Sequence, residues 1–184
     1  DEPFSGFGDG ADPDPEARLV SATCGGVRVS SVYVPNGRAV DDDHYQYKLL
    51  WLGRLRAHLE GTCEPNQPVL VGGDFNICPD HRDVWDPDNP ELRTHVTQAE
   101  RDALAHIIDW GLTDLFRKDY DEGGVYSWWD YRNGAFHKKM GLRIDLLLGS
   151  APVADVSKFC LIDRTARKGT KPSDHAPVLV DLEW

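Results

Sequence analysis

Across residues 41–59 the apolar positions Tyr45, Leu49, Leu52, Leu55 and Leu59 recur every three or four residues, the spacing of one buried helix face. Carboxylates over 41–43 suit the partly positive start of that helix. A second helix is predicted from the capping box Thr97-Gln98-Ala99-Glu100 through Trp110, closed by Gly111. Elsewhere the pattern shortens to alternation or brief apolar runs. Residues 18–23 and 27–34 gather β-branched positions around Gly25-Gly26, which predicts a hairpin. Residues 68–72 read as a short buried strand ending in a double glycine, and further strands are predicted over 125–128, 143–148, 156–162 and 177–182. The Pro- and Asp-rich stretch 80–96 has no period and reads as a long loop.

Strands separated by two helices predict a layered α/β or α+β domain, and the pattern alone leaves sandwich and open sheet unresolved. With 184 residues one domain is the default, spanning 17–184 behind a flexible acidic loop or tail over 1–16. No apolar run approaches the length of a membrane span and the start has no signal-like h-region, so neither membrane nor secretion is expected. Cys24, Cys63, Cys78 and Cys160 are scattered without a C-x-x-C pair, which argues against zinc and against a disulfide framework. Reduced thiols and a cytoplasmic location are the expectation. The net charge of −11 is unevenly spread, because residues 130–175 hold nine Lys/Arg against five Asp. A local basic field of that kind can meet a polyanion although the body is acidic, and a merely solvated surface is the plainer alternative.

Three places carry candidate chemistry. Asp74 and Asn76 lie two apart, so in an extended chain they face one side, and Gly72-Gly73 before them leave room for a ligand near the backbone. A carboxylate there can ligate a hard cation or take a proton from water, while an amide holds that water or a phosphate oxygen. The plainer reading is a strand end followed by an Asx turn. Asp174-His175 puts a second carboxylate beside an imidazole. Asp145, between Ile144 and three leucines, is costly to bury unless paired, so it is the candidate to orient the His175 ring. Read singly, Tyr33 and Trp128 are better taken as packing residues.

Taken in order, Tyr33-Val34-Pro35-Asn36, Gly73-Asp74-Phe75-Asn76, the segment Tyr126-Ser127-Trp128-Trp129-Asp130-Tyr131-Arg132, Gly141-Leu142-Arg143-Ile144-Asp145 and Ser173-Asp174-His175-Ala176-Pro177 form a set. The set resembles exonuclease III and related AP endonucleases, members of the endonuclease/exonuclease/phosphatase superfamily. The resemblance implies a deoxyribonuclease I-like fold: an α+β two-sheet β-sandwich flanked by helices in four layers. It implies Mg²⁺-dependent (or Mn²⁺-dependent) hydrolysis of double-stranded DNA, 5′ to abasic sites or at 3′ ends, by a monomer when the domain is complete. In those terms Asp74 orients the water and Asn76 holds water or phosphate. His175, steered by Asp145, contacts the scissile phosphate, with Tyr33 nearby and Asn36 assisting. Asp174 joins Asp74 on the metal side, and Trp128 and Arg143 meet the substrate. The family's N-x-N-G-like and Q-E-x-K-like segments are missing here, and with them a glutamate ligand. The expectation is therefore an N-terminally incomplete domain. The competing expectations are a non-catalytic DNA- or partner-binding domain, or a phosphatase acting on inositol phosphates or sphingolipids.

Overall fold

Gly25 and Gly26 both take positive φ, +58 and +86, which closes a two-residue turn between β2 (Leu19–Cys24) and β3 (Val27–Tyr33). The computed structural model describes residues 2–10, 16–89, 92 and 94–184. Before the hairpin, β1 (Phe4–Ser5) pairs with β2. After it, α1 (Asp43–Thr62) crosses over to β4 (Val69–Asp74), which lies parallel to β3. Asp42 caps α1 by accepting from the His44 N–H. The capping box predicted at Thr97 is present and opens α2 (Gln98–Ile108).

Downstream come β5 (Leu112–Asp114), α3 (Leu115–Asp119), β6 (Trp128–Trp129), α4 (Ala135–Lys138), β7 (Gly141–Leu142), β8 (Asp145–Ser150), α5 (Ala151–Val156), β9 (Ser157–Ile162) and β10 (Val178–Leu182). The main sheet runs β1-β2-β3-β4-β8-β5, and two small sheets pair β9 with β10 and β6 with β7. Alternation sorts the main sheet's side chains. Val69, Val71, Leu146 and Leu148 join Trp51, Leu52, Leu55 and Leu59 of α1 and Leu104 and Ile107 of α2 in one core. On the opposite face Val29, Leu70 and Leu147 meet Cys160 of β9 and Val178, Val180 and Leu182 of β10 in a second core. The layers are thus helix, sheet and a short second sheet.

Several predicted boundaries move for identifiable reasons. The strand expected over 143–148 begins only at Asp145, because the Arg143 N–H bonds the Asp83 carbonyl and the Ile144 N–H bonds the Ser127 hydroxyl. Strand 125–128 shrinks to Trp128–Trp129. Residues 151–156 form a helix with Pro152 in its first turn, where a missing N–H does no harm. β5 and α3 are too short to leave a period in the sequence. The predicted tail over 1–16 lies partly outside the described residues. Within them Phe4–Ser5 is paired, and Phe7 is buried edge-on against Trp51 at 5.1 Å. The loop expected over 80–96 contains one 3-10 turn at His81–Asp83, and residues 90, 91 and 93 lie outside the described residues.

Candidate active site

Tyr33, Asp74 and Asp145 are register partners on β3, β4 and β8, so three adjacent strands present them in one row. The row faces away from α1 and α2, at the end of the sheet beside β10. Asp145 receives the His175 ring: Nδ1 lies 2.8 Å from Oδ2 and 3.1 Å from Oδ1. A carboxylate can only accept, so Nδ1 carries the hydrogen and Nε2 is the ring atom open to a substrate. The pairing expected for Asp145 is present.

A clamp of short contacts holds the strand-end segment that bears His175. Trp129 N–H donates to the Asp174 carbonyl at 3.0 Å, Ala176 N–H donates to the Ser127 carbonyl at 2.7 Å, and Trp128 Nε1 donates to Asp174 Oδ2 at 3.0 Å. The buried Ser127 hydroxyl accepts from both Ile144 and Asp145 N–H groups. Ser127 therefore ties Asp145 to the clamp that fixes His175, a role with no visible signal in the sequence beyond its place in the aromatic segment.

Asp74 sits in a tight cage. Its Oδ1 accepts from the Asn76 N–H at 2.8 Å and its Oδ2 from Asn76 Nδ2 at 3.1 Å. The second Nδ2 hydrogen goes to the Val34 carbonyl at 2.9 Å, and Asn76 Oδ1 accepts from Asn36 Nδ2 at 3.1 Å. This corrects the expectation that Asn76 itself grips water or phosphate. Its amide is buried and both amide hydrogens are spent on Asp74 and Val34, while the exposed Asn36 keeps one amide hydrogen to offer. Burial first, and the facing Asp145 charge second, push the Asp74 carboxyl up to about 7, against the pull of the Asn76 N–H and His175. For His175, burial acts downward, but the hydrogen bond and charge of Asp145, with Asp74 and Asp174, outweigh it and raise its pKa above the ordinary imidazole value. A carboxyl held near neutrality beside an imidazole that keeps its proton is a matched base and donor.

The glycines before Asp74 serve packing rather than ligand access. A side chain on Gly73 would collide with the Val32 carbonyl, and its φ is +145; one on Gly72 would strike Leu147. Arg143 is likewise corrected. Expected to meet the substrate, it is fully buried, with Nε 2.6 Å from Asp83 Oδ1 and Nη2 2.8 Å from Asp114 Oδ2. Its charge is consumed inside, where it fastens the 80s loop to the start of β8. Trp128 lines a pocket of about 500 Å³ with Trp85, Met140, Leu142 and Arg38, while its indole N–H holds Asp174. Tyr33 is 52% exposed, with the Arg18 guanidinium 4.7 Å over its ring. Lys48 and Glu100 are both fully buried; Glu100 was expected only as the end of a capping box and Lys48 not at all, although it falls on the apolar stripe of α1 between Tyr45 and Leu52.

Asp74 and Asp145 face each other as register partners and the Asp145 charge raises the Asp74 carboxyl, so hard oxygen donors of like charge stand together where a divalent cation would neutralise them. Among the described residues no group of three or more His, Cys, Asp or Glu converges as a closed metal site. Most ligands would then come from water and substrate, as Mg²⁺ commonly accepts.

The Endonuclease/Exonuclease/phosphatase family model matches residues 3–175. The chain is 30% identical over 166 residues to an exodeoxyribonuclease of Bacillus subtilis, covering 90% of this chain and 64% of the relative. It superposes with a TM-score of 0.93 and 36% identity on a 3′ phosphatase, NExo, from Neisseria bound to a product DNA hairpin, covering all of this chain and 71% of that one. An AP endonuclease from Archaeoglobus fulgidus gives a TM-score of 0.90 at 36% identity, with 72% of its chain covered. The chain thus spans less than two thirds of the Bacillus relative's length. With the family model over residues 3–175, these solved structures at 36% identity and its paired Asp145–His175 and Asp74–Asn76 groups at one sheet end, the chain has the deoxyribonuclease I-like fold and belongs to the endonuclease/exonuclease/phosphatase family, in its exonuclease III/AP endonuclease branch.

Proposed function

We propose that this chain carries the reaction centre of a DNA-repair phosphodiesterase of exonuclease III type, cleaving 5′ to abasic sites, trimming 3′ ends or removing 3′ blocking groups. The observation that carries it is the Asp145–His175 pair set in register with Asp74. Asp74 takes a proton from the attacking water, and its raised pKa suits a base working near neutrality. His175 Nε2 donates to a non-bridging phosphate oxygen as charge develops there. Tyr33 and Asn36 hold the phosphate from the other side. Trp128 and its apolar neighbours form the wall against which a base-less sugar packs. A divalent cation, Mg²⁺ or Mn²⁺, held through Asp74 and Asp174 would supply neutralisation of phosphate charge. Double-stranded DNA is the partner, and four free cysteines fit a reducing, cytoplasmic setting.

The test is cleavage of a duplex with a single abasic site in Mg²⁺, against an inositol phosphate and a 3′-phosphorylated end in parallel. We expect cleavage of DNA, and a loss of about 10²–10³ in rate for His175→Ala. DNA binding without cleavage in Mg²⁺ or Mn²⁺ would favour a second reading, a non-catalytic DNA-binding domain.

A further inference from the structure

Lys48 is an expensive residue to bury, yet its side chain is fully enclosed and all three ammonium hydrogens are directed. They go to the Asn76 carbonyl at 2.7 Å, the Asn36 carbonyl at 3.3 Å and Glu100 Oε1 at 2.5 Å. The first two belong to separate loops, one after β3 and one after β4, whose side chains also meet each other. Glu100 in turn accepts from the Thr94 hydroxyl at 2.7 Å, the His95 N–H at 2.9 Å and the Thr97 N–H at 3.0 Å. His95 Nδ1 adds a second donor to the Asn76 carbonyl at 2.5 Å.

A buried ion pair contributes little net stability compared with apolar groups of the same size, so fold stability alone does not explain this one. Asn76 supplies the better explanation. Its φ is +52, a left-handed conformation that asparagine adopts more readily than other non-glycine residues but that still needs partners to be fixed as the single state. Two charged or polar donors on its carbonyl are those partners. That backbone geometry is what turns the Asn76 N–H and amide back onto the two Asp74 oxygens. Burial presses the Lys48 pKa downward and the Glu100 charge opposes it.

We infer that Lys48 and Glu100 are positioning residues: they lock the Asn36 and Asn76 loops together and so aim the Asp74 carboxylate. This inference rests on the nuclease reading for its catalytic meaning, but the geometry can be tested apart from it. The variant pair Lys48→Met/Glu100→Gln removes both charges at similar volume and leaves no lone buried ion. In a folded double variant, kcat on the abasic duplex should drop about tenfold to a hundredfold, with KM within about threefold of native, as for a small misplacement of a reacting group. Amide hydrogen exchange across residues 74–78 should speed up about tenfold or more while residues 69–73 stay protected. Native kcat together with native exchange over 74–78 would overturn the inference. Should the native chain itself not cleave DNA, the function proposal falls, and the exchange measurement alone decides this one. Should the double variant not fold, His95→Gly carries the decision: it keeps the ion pair, accepts the left-handed backbone at 95 and has no side-chain donor to offer the Asn76 carbonyl. It should shift exchange in the same direction by a smaller factor, and unchanged exchange would count against the inference.

Discussion

His175 holds its proton because Asp145 faces Nδ1, and burial by itself disfavours the charge. Asp145→Asn should therefore lower the His175 titration midpoint, read from its imidazole NMR shifts; an unchanged midpoint would mean that the pairing does not control the ring. The stabilisation from His175 is present below the ordinary imidazole value and is lost as pH rises through the raised one. Asp74 has the opposite chemistry and the same direction. Its folded value of about 7 lies above the ordinary 3.8, so between the two the folded state binds the proton more tightly than the unfolded chain. Stability should fall as pH climbs through that window, by up to about 4 kcal/mol from this group alone. Denaturant titrations at several pH values should show a steeper fall for the native chain than for Asp74→Asn. Equal slopes would remove the case for Asp74 as a near-neutral base.

At the scale of elements, the site depends on where strands stop. β4 ends at Asp74 and β8 begins at Asp145, and the chain leaves both ladders there because other groups capture its backbone. Arg143, just before β8, is the fastener: it ties β8 to the 80s loop through Asp83 and to β5 through Asp114. Arg143→Met leaves the buried Asp83 with Arg117 and the Asp80 N–H as its remaining partners, and should destabilise the fold by up to about 3 kcal/mol. DNA affinity in the folded fraction, measured well below the melting temperature, should change little; a large loss with intact stability would return Arg143 to the substrate. The two long helices were legible in the sequence because a 3.6-residue period and a capping box are local signals. β5, α3 and α5 were not, since elements of three to six residues carry no period and are set by their neighbours.

For the whole molecule, the charge distribution decides more than the total of −11. Of the basic residues late in the chain, Arg143 is neutralised inside and Arg167 is buried against Trp129, Tyr131 and Phe136. The exposed remainder includes Arg132, Lys138, Lys139, Lys168 and Lys171, all on the same run of chain as Trp128 and Asp174. If that run tracks a DNA backbone, Lys138→Gln/Lys139→Gln should weaken duplex binding without sequence bias. The slope of log affinity against log salt should shrink by about one for each phosphate that the variant no longer neutralises. An unchanged slope would mean that these lysines only solvate the surface. Among the described residues no helix is long and apolar enough to cross a membrane.

The order of short motifs and the two long helices were decided by local residue types, because chemistry and period are written along the chain. What only the tertiary structure decided is which polar groups are spent. Asn76 bonds inward to Asp74 and Val34, and Arg143 is enclosed by two carboxylates. Lys48 reaches from a helix face to the carbonyls of two distant loops. Apart from the Asn76–Asp74 contact, those assignments depend on burial and on partners 12 to 60 positions away, and neither distance nor desolvation can be read from neighbours in sequence.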